Sequence, residues 1–275
     1  ALDSVLRQTV RDFEIVVVDD ASTAPASVPD DPRVRLVRRG RRGGPAAARN
    51  TGVEHARGRF ICFLDDDDLY TPDRLEVVVP HLGRAPLLLV WARYLEGPRK
   101  PGRRLEGDVH DVILDATTPH LGAVTISREV IVPFDETYFA SQDLEWWLRQ
   151  TQACHVATVP SFSYLVRRHS GAREGWGTQA RVENQLRLLR QYEAYFEDHP
   201  RARAFRWRRI GLMRLALGDP SGARAAFTAS LAARPSARTA WHFLRSLRMA
   251  REEIRGMPAG HETEGTASSP GRRGS

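Results

Sequence analysis

Short apolar runs alternate with helical patterns along the first two thirds of the chain. Runs of apolar and β-branched residues, bounded by Gly, Pro and Asp, are typical of buried strands. The predicted strands span residues 14–18, 34–37, 60–64, 87–91, 121–127, 156–159 and 162–166. Helical patterns lie between them at residues 2–9, 46–56, 72–82 and 141–150. Alternating strands and helices predict an α/β fold, with a mostly parallel mixed sheet flanked by helices.

The last third of the chain is helical in pattern from residue 178 to residue 255. Three residues there recur 34 positions later, as the pairs Ile210 and Leu244, Met213 and Leu247, Arg214 and Arg248. This spacing matches the tetratricopeptide period, but one unit and part of a second are fewer than such arrays need. We therefore predict a C-terminal, tetratricopeptide-like helical region at 178–255, packed on a first domain at 1–177. A Gly-, Ser- and Pro-containing tail at 256–275 is predicted to be disordered.

Charge is distributed unevenly along the chain. Residues 1–180 carry 23 basic and 25 acidic residues, whereas residues 181–275 carry 18 basic and 9 acidic residues. The basic C-terminal region is compatible with peripheral contact with anionic lipid, and a solvated helical surface is the alternative interpretation. Nucleic-acid binding is disfavoured, because the acidic first part repels phosphate without a metal. No apolar run reaches the roughly 18 residues of a membrane span, and no leader pattern is visible, so we expect a cytoplasmic protein.

Four consecutive aspartates, Asp65-Asp66-Asp67-Asp68, directly follow the predicted strand at 60–64. Adjacent carboxylates repel one another unless a cation neutralises them. Hard oxygen ligands suit Mg²⁺ or Mn²⁺, and Mg²⁺ usually shares its coordination shell with substrate phosphates. Open α/β sheets also bind ligands at the carboxyl ends of their strands. The tetrad therefore predicts a metal site for Mg²⁺ or Mn²⁺, with a solvated acidic turn as the alternative.

Other motifs accompany the tetrad in a fixed order. Asp19-Asp20-Ala21-Ser22 follows a strand, the segment GPAAARNTG at 44–52 follows a basic loop, and Pro72-Asp73-Arg74-Leu75 opens a helix. In this order the segments resemble the inverting, nucleotide-sugar-dependent glycosyltransferases of family 2, which have the GT-A fold. The resemblance covers roughly residues 1–170. It implies transfer of a sugar from a UDP- or dTDP-linked donor to a saccharide, lipid-linked or small-molecule acceptor.

The resemblance also implies roles for residues in the donor site. Asp19 and Asp20 match the acidic pair that contacts the base and ribose of the donor, and Arg49 matches an arginine near the base. Within the tetrad, either Asp65 or Asp66 matches the ribose contact.

Metal and leaving-group contacts follow from the same resemblance. Asp67 matches the aspartate that ligates the metal on the donor diphosphate. In a basic segment after the last predicted strand, Arg168 matches a diphosphate contact and His169 a metal or phosphate contact. Lone His and Arg residues of this kind are also common at surfaces.

Asp143 matches the catalytic base of the family, in the segment SQDLEWWLR at 141–149. A carboxylate there takes the proton from an acceptor hydroxyl as its oxygen attacks the anomeric carbon, and direct displacement inverts that carbon. Capping of the helix is the alternative role. Of Trp146 and Trp147, one is expected in the core, whereas the other either packs there too or stacks on an acceptor sugar. Acceptor loops are expected at 92–120 and 170–180.

The family pattern normally begins with a further strand, and this chain starts after it. We therefore expect a GT-A domain that lacks its first strand, and a catalytically inactive scaffold or interaction protein is the alternative function. A phosphatase with an aspartate nucleophile is disfavoured because its lysine would have to be Lys100, which lies in a Gly- and Pro-rich loop. Terpenoid-type synthases are disfavoured because their aspartate motifs lie on helices.

Overall fold

The computed structural model describes residues 1–98, 100–167 and 179–256. The predicted contacts Arg168 and His169 lie outside these residues, as does the predicted disordered tail from residue 257 onward. Among the described helices, none combines the length and the apolar character needed to cross a membrane.

Ten strands in the described residues form three hydrogen-bonded sheets. The strands are β1 (Ile15–Asp19), β2 (Val34–Arg38), β3 (Phe60–Cys62), β4 (Leu69–Tyr70), β5 (Leu87–Leu89), β6 (Ala92–Tyr94), β7 (Glu106–Gly107), β8 (Val124–Ser127), β9 (Val156–Thr158) and β10 (Tyr164–Val166). The central sheet has the order β3-β8-β5-β9-β7. A second sheet has the order β4-β10-β6, and β1 pairs with β2.

Nine α-helices in the described residues surround these sheets. They are α1 (Leu2–Leu6), α2 (Gly44–His55), α3 (Arg74–Val78), α4 (Gln142–Ala153), α5 (Gln179–Gln191), α6 (Glu193–Asp198), α7 (Pro200–Ala216), α8 (Pro220–Ala233) and α9 (Ala237–Gly256). Proline occupies the first turn of α2, α7 and α8, where its missing N–H leaves no hydrogen bond unmade. Asp219 caps α8 by accepting a hydrogen bond from the backbone N–H of Gly222.

Three strands of the central sheet run in the same direction. β5 is parallel to β9 and antiparallel to β8, and β8 is also antiparallel to β3. The carboxyl ends of β3, β5 and β9 therefore lie along one edge, which we name the carboxyl edge. It comprises residues 63–68, 90–91 and 159–163. The tetrad lies here, where strand ends and loops of an α/β sheet bind ligands.

The small sheet β4-β10-β6 spans this edge. β4 begins directly after the tetrad and pairs antiparallel with β10, which pairs parallel with β6. Neighbouring strands lie about 4.8 Å apart, so β4 and β6 are about 10 Å apart. Neither β4 nor β6 was predicted, because strands of two or three residues are too short to show an alternating pattern.

Alternate residues of the central strands pack into two different hydrophobic clusters. Leu87 and Leu89 face a cluster that contains Trp146 and Trp147, whereas Leu88 faces the second cluster. A strand buried on both faces has a continuous apolar sequence, which explains the run at 87–90. The first cluster also includes buried side chains of α5, α6, α7 and α8, so these helices share a core with the sheet.

The α/β class, the mixed sheet and the C-terminal helices agree with the sequence prediction. The balance of strand directions differs from it, because three of the described strand pairs are parallel and four are antiparallel. Strand β8 causes much of the difference, since it lies antiparallel between β3 and β5. The apolar pattern predicts a strand at 121–127 but contains no information on its direction.

Candidate active site

Three of the four tetrad aspartates lie together at the carboxyl edge. One carboxylate oxygen from each of Asp65, Asp67 and Asp68 lies within 4.8 Å of the other two. The backbone N–H of Asp68 donates to the carbonyl of Asp65 at 3.2 Å, which closes the turn that gathers them. Asp66 is exposed and lies outside the group. We name Asp65, Asp67 and Asp68 the acidic cluster.

Asp68 is the buried member of the acidic cluster. The Tyr164 hydroxyl donates to its Oδ2, and the backbone N–H of Arg167 donates to its Oδ1 at 2.9 Å. Burial raises the pKa of Asp68, and these two hydrogen bonds oppose that rise. Burial also raises the pKa of Tyr164, so the phenol stays protonated as a donor. Asp68 is therefore held by Tyr164, the first residue of β10, and by Arg167, which directly follows β10.

Arg49 connects helix α2 to the acidic cluster. Its Nη2 lies 2.7 Å from Oδ1 of Asp65, and its side chain is only 14% exposed. The guanidinium lies over the ring of Phe134 at 5.7 Å. Its Nη1 is buried and has no hydrogen-bond partner among the described residues. An unpaired buried donor of this kind next to carboxylates indicates a place where a ligand acceptor binds.

Asp19 ends strand β1 and is buried. Its carboxylate accepts hydrogen bonds from the backbone N–H groups of Ser22 and Ala26, at 2.8 and 3.1 Å. Arg38 is also 2.8 Å from its Oδ2. The Ser22 N–H is the largest cause that lowers the pKa of Asp19. The residue predicted to contact the donor is thus first of all an anchor for the loop after β1.

Asp20 joins β1 to the start of α2. Its carboxylate accepts hydrogen bonds from the backbone N–H groups of Gly43 and Gly44 and pairs with Arg39 at 2.9 Å. Gly44 has φ of +82°, a backbone conformation that favours glycine. Arg49 lies five residues farther along α2, a rise of about 7.5 Å. Helix α2 therefore connects Asp20 to the acidic cluster within about two helical turns.

Asp143 lies in the first turn of α4 and is half-buried. Its carboxylate makes no hydrogen bond to any described residue, so it does not cap the helix. The charge of Arg206, on α7, interacts with that of Asp143. Burial lowers the pKa of Arg206 to about 10, and the guanidinium donates to the carbonyls of Leu114 and Ala116.

The neighbours of Asp143 on α4 belong to the core. Trp146 and Trp147 are both fully buried, and their indole N–H groups donate to the carbonyls of Val132 and Pro119. Stacking of either ring on an acceptor sugar is therefore excluded. Glu145 is also buried and accepts hydrogen bonds from Arg149 and the Tyr192 hydroxyl.

Tyr164 is a site residue to which sequence reasoning assigned no role, and Asp68 was included in the tetrad but given no individual role. Asp68 directly precedes the apolar pair Leu69 and Tyr70, and this position at the start of a strand is the one available signal that it turns inward. Tyr164 lies in an apolar run, where a tyrosine is indistinguishable from ordinary core.

The fold and the acidic cluster define a glycosyltransferase domain of the GT-A type. The family model described as glycosyl transferase family 2 matches residues 1–125. Residues 1–125 therefore belong to this family, which confirms the resemblance seen in the ordered motifs.

Individual relatives agree with this assignment. The chain is 33% identical over 167 residues to the Escherichia coli UDP-Glc:alpha-D-GlcNAc-diphosphoundecaprenol beta-1,3-glucosyltransferase WfgD, covering 58% of this chain and 66% of that protein. The chain spans only 27% and 24% of the length of two other curated relatives that it matches.

Two solved structures have a similar fold. S. aureus TarS 1-349 in complex with UDP-GlcNAc has a TM-score of 0.53 at 15% identity, covering 92% of this chain and 86% of that chain. The mannosyltransferase PcManGT from Pyrobaculum calidifontis, in complex with GDP-Man and Mn²⁺, has a TM-score of 0.53 at 20% identity, covering 91% and 75%.

Proposed function

We propose that this chain is an inverting, metal-dependent glycosyltransferase that moves a sugar from a UDP- or dTDP-linked donor to an acceptor hydroxyl. The acidic cluster at the carboxyl edge is the observation that carries the proposal. Its three carboxylates lie with the guanidinium of Arg49 at the carboxyl end of β3, and the carboxyl ends of strands are where an α/β fold binds nucleotides. The polysaccharide-related relatives favour synthesis of a cell-surface polysaccharide.

The acidic cluster suits Mg²⁺ or Mn²⁺. The carboxylate oxygens of the three aspartates all lie within 4.8 Å of one another, close enough for more than one of them to bind a single ion at about 2.1 Å. Asp67 and Asp68 would hold the ion. When bound, the ion neutralises the charge that develops on the leaving diphosphate. The Mn²⁺ and GDP-Man in a structure of similar fold support this choice of chemistry.

The geometry favours Asp65 over Asp66 as the ribose contact. Asp65 belongs to the acidic cluster and is held by Arg49 at 2.7 Å, whereas Asp66 lies outside the cluster. A carboxylate fixed in this way is already oriented for a hydroxyl pair, so its side-chain freedom is not lost on binding. Asp19 and Asp20 shape the loops on the α2 side of the cluster, where the base binds in this proposal.

Asp143 is the proposed general base. It is half-buried at the start of a helix, and no described residue hydrogen-bonds to its carboxylate, so its oxygens are free to accept a proton from an acceptor hydroxyl. As the hydroxyl oxygen forms its bond to the anomeric carbon, the bond to the diphosphate breaks and the proton moves to Asp143.

Calorimetric titration of UDP, dTDP and GDP, each with and without Mn²⁺, tests the donor site. We expect Mn²⁺-dependent binding of UDP or dTDP, and we expect Asp67→Asn to abolish the Mn²⁺ dependence. Asp66→Asn is the matched control, since it removes the same charge one residue away, outside the acidic cluster. Equal binding with and without metal, or equal loss in both variants, would refute the assignment.

Turnover of the bound donor tests the base. We expect Asp143→Asn to bind nucleotide normally and to lose sugar transfer by about 10²-fold or more, because proton transfer by a positioned base contributes that much. Transfer at the wild-type rate would exclude Asp143 as the base. Nucleotide binding by the wild type without any transfer would favour the scaffold alternative.

Helix α9 supports the further proposal of peripheral contact with an anionic membrane. Trp241 and Leu244 are each 57% exposed, and the exposed face between residues 237 and 247 also carries Arg238 and Arg245. A helix with aromatic and basic residues on one face binds the surface of an anionic bilayer. The wild-type protein should sediment with phosphatidylglycerol vesicles, and Trp241→Ser should stay in the supernatant. Neither protein should sediment with phosphatidylcholine vesicles. Equal sedimentation with both lipids would exclude this contact.

A further inference from the structure

A cavity of about 220 Å³ opens at the carboxyl edge, next to strand β10. Most of its wall comes from three stretches, the end of β5 together with β6, the loop at 102–105, and the loop at 117–120 that leads into β8. Ala123, Thr158 and Val166 complete the wall. These stretches fall largely within the segment where acceptor loops were expected from the sequence. The cavity has no role in the donor site described above.

Strand β10 lies between the cavity and the acidic cluster. Its Tyr164 donates to Asp68 on one side, and its backbone pairs with β6 of the cavity wall on the other. The ring of His120, in the cavity wall, lies 5.9 Å from the ring of Tyr164. The cavity is therefore about two strand spacings, or about 10 Å, from the end of the tetrad.

The cavity lies away from the side of the cluster assigned to the nucleotide. Arg49 and α2 approach the cluster from Asp65, whereas Tyr164 and the cavity approach it from Asp68. In this proposal the nucleotide of a donor bound at the acidic cluster lies on the side of α2. The opposite side is left for the acceptor, as direct displacement at the anomeric carbon requires.

The charge of the cavity is positive. Arg93 and Arg103 line it together with His120, and none of the described residues in its wall carries a carboxylate. One N–H of Arg103 donates to the Val112 carbonyl at 3.1 Å, and no ion pair holds that side chain within the described residues. Nε of Arg93 and Nε1 of Trp91 are buried without a hydrogen-bond partner among the described residues.

We propose that this cavity binds an anionic group of the acceptor, a phosphate or a carboxylate carried near the hydroxyl that is glycosylated. Two arginines in a wall that contains no acidic residue favour such an anion, because charge-assisted hydrogen bonds to arginine are the strong ones. The Trp91 side chain forms an apolar wall beside them. This inference rests on the proposed glycosyl transfer and adds the chemical class of its acceptor.

Competition among three matched probes tests the class of acceptor. Glucose, glucuronate and glucose 1-phosphate share a hexose ring and differ in charge, and their binding can be followed by saturation-transfer NMR with UDP and Mn²⁺ present. We expect at least one anionic probe to bind about 10- to 100-fold more tightly than glucose, the range for hydrogen bonds to a charged group. Glucuronate and glucose 1-phosphate separate a carboxylate source from a phosphate source. Equal binding of the three probes, or binding of none, would overturn the proposal.

Arginine variants locate the binding of the probe. Arg93→Gln and Arg103→Gln should each reduce the preference for the anion about 10-fold or more, while the affinity for UDP with Mn²⁺ stays at the wild-type value. Arg104→Gln is the matched control, because Arg104 is exposed, pairs with Glu106 and lies outside the cavity wall. Equal effects in the control and the cavity variants would overturn the proposal. Loss of UDP binding by the wild type would instead count against the donor site.

Discussion

Replacement of Tyr164 by phenylalanine isolates one hydrogen bond at the acidic cluster. The Tyr164 hydroxyl donates to the buried carboxylate of Asp68. Once the hydroxyl is removed, the Arg167 N–H is the one remaining donor to that group among the described residues. The ring itself stays packed against Tyr70, with ring centroids 6.3 Å apart, so no cavity is created. The change therefore acts on the orientation and ionisation of Asp68.

The expected effect is a loss in metal affinity. Groups that hydrogen-bond to a metal ligand typically change affinity by about 10- to 100-fold when they are removed, equivalent to about 1.4–2.7 kcal/mol. For Asp68 the direction follows from burial. Burial already raises its pKa, and the Tyr164 hydrogen bond opposes that rise, so the variant makes a proton a stronger competitor of the metal.

Titration of Mn²⁺, followed by electron paramagnetic resonance in the presence of UDP, measures this affinity directly. Tyr70→Phe is the matched control because Tyr70 is buried in the same aromatic pair, but its hydroxyl donates to the carbonyl of Phe63 at 2.6 Å. The control should lose stability, by about 1–3 kcal/mol for an unpaired carbonyl, and keep its Mn²⁺ affinity. Unchanged affinity in folded Tyr164→Phe, or an equal loss in both variants, would refute the reasoning.

Three other outcomes follow from contacts described by the structure. A Cβ at Gly122 would lie 2.2 Å from the Tyr164 ring. Gly122→Ala should therefore lower the free energy of unfolding in urea by about 1–3 kcal/mol and weaken Mn²⁺ binding. Gly211→Ala, which is equally crowded, should lower the free energy of unfolding and leave Mn²⁺ binding unchanged. Arg206→Met leaves two carbonyls unpaired and should cost about 2–5 kcal/mol in the same urea measurement; a loss below about 1 kcal/mol would contradict the buried geometry. Burial and nearby arginines lower the pKa of His242 below 6.5, so the unfolded chain takes up the proton first and stability falls as the pH drops through that value. The urea midpoint should therefore be lower at about pH 5.5 than at about pH 8, and His242→Gln should reduce the difference.

Much of the fold, and the position of the tetrad at the end of a strand, was predictable from the sequence. The strands at β1, β2, β3, β5, β8 and β9 give clear signals because each is a short apolar run between polar turns. The tetrad was recognisable because four adjacent carboxylates after a strand need a cation. Asp143 was predicted to be the base only through its motif, since a single aspartate at the start of a helix has no distinguishing physical pattern.

The remaining features depend on contacts that are distant in sequence. Tyr164 lies 96 residues from Asp68 along the chain, and the pattern of the intervening residues does not predict that they meet. Trp146 and Trp147 are neighbours on one helix, yet both are buried. The hydrophobic cluster that contains them also includes residues of the central sheet and of α5 to α8. The positive cavity is lined by strand and loop residues that come together only through the order of strands in two sheets, and the sequence pattern does not predict that order.

The position of β10 between the two sites limits how this protein can be redesigned to use another acceptor. Within Tyr164–Val166, Tyr164 donates to the acidic cluster and Val166 lines the cavity, so substitutions in this strand act on both sites. The loop at 102–105 and the loop at 117–120 contact the cavity without any described hydrogen bond to the cluster. A library aimed at new acceptors therefore belongs in those loops, with β10 held constant so that use of the donor is retained.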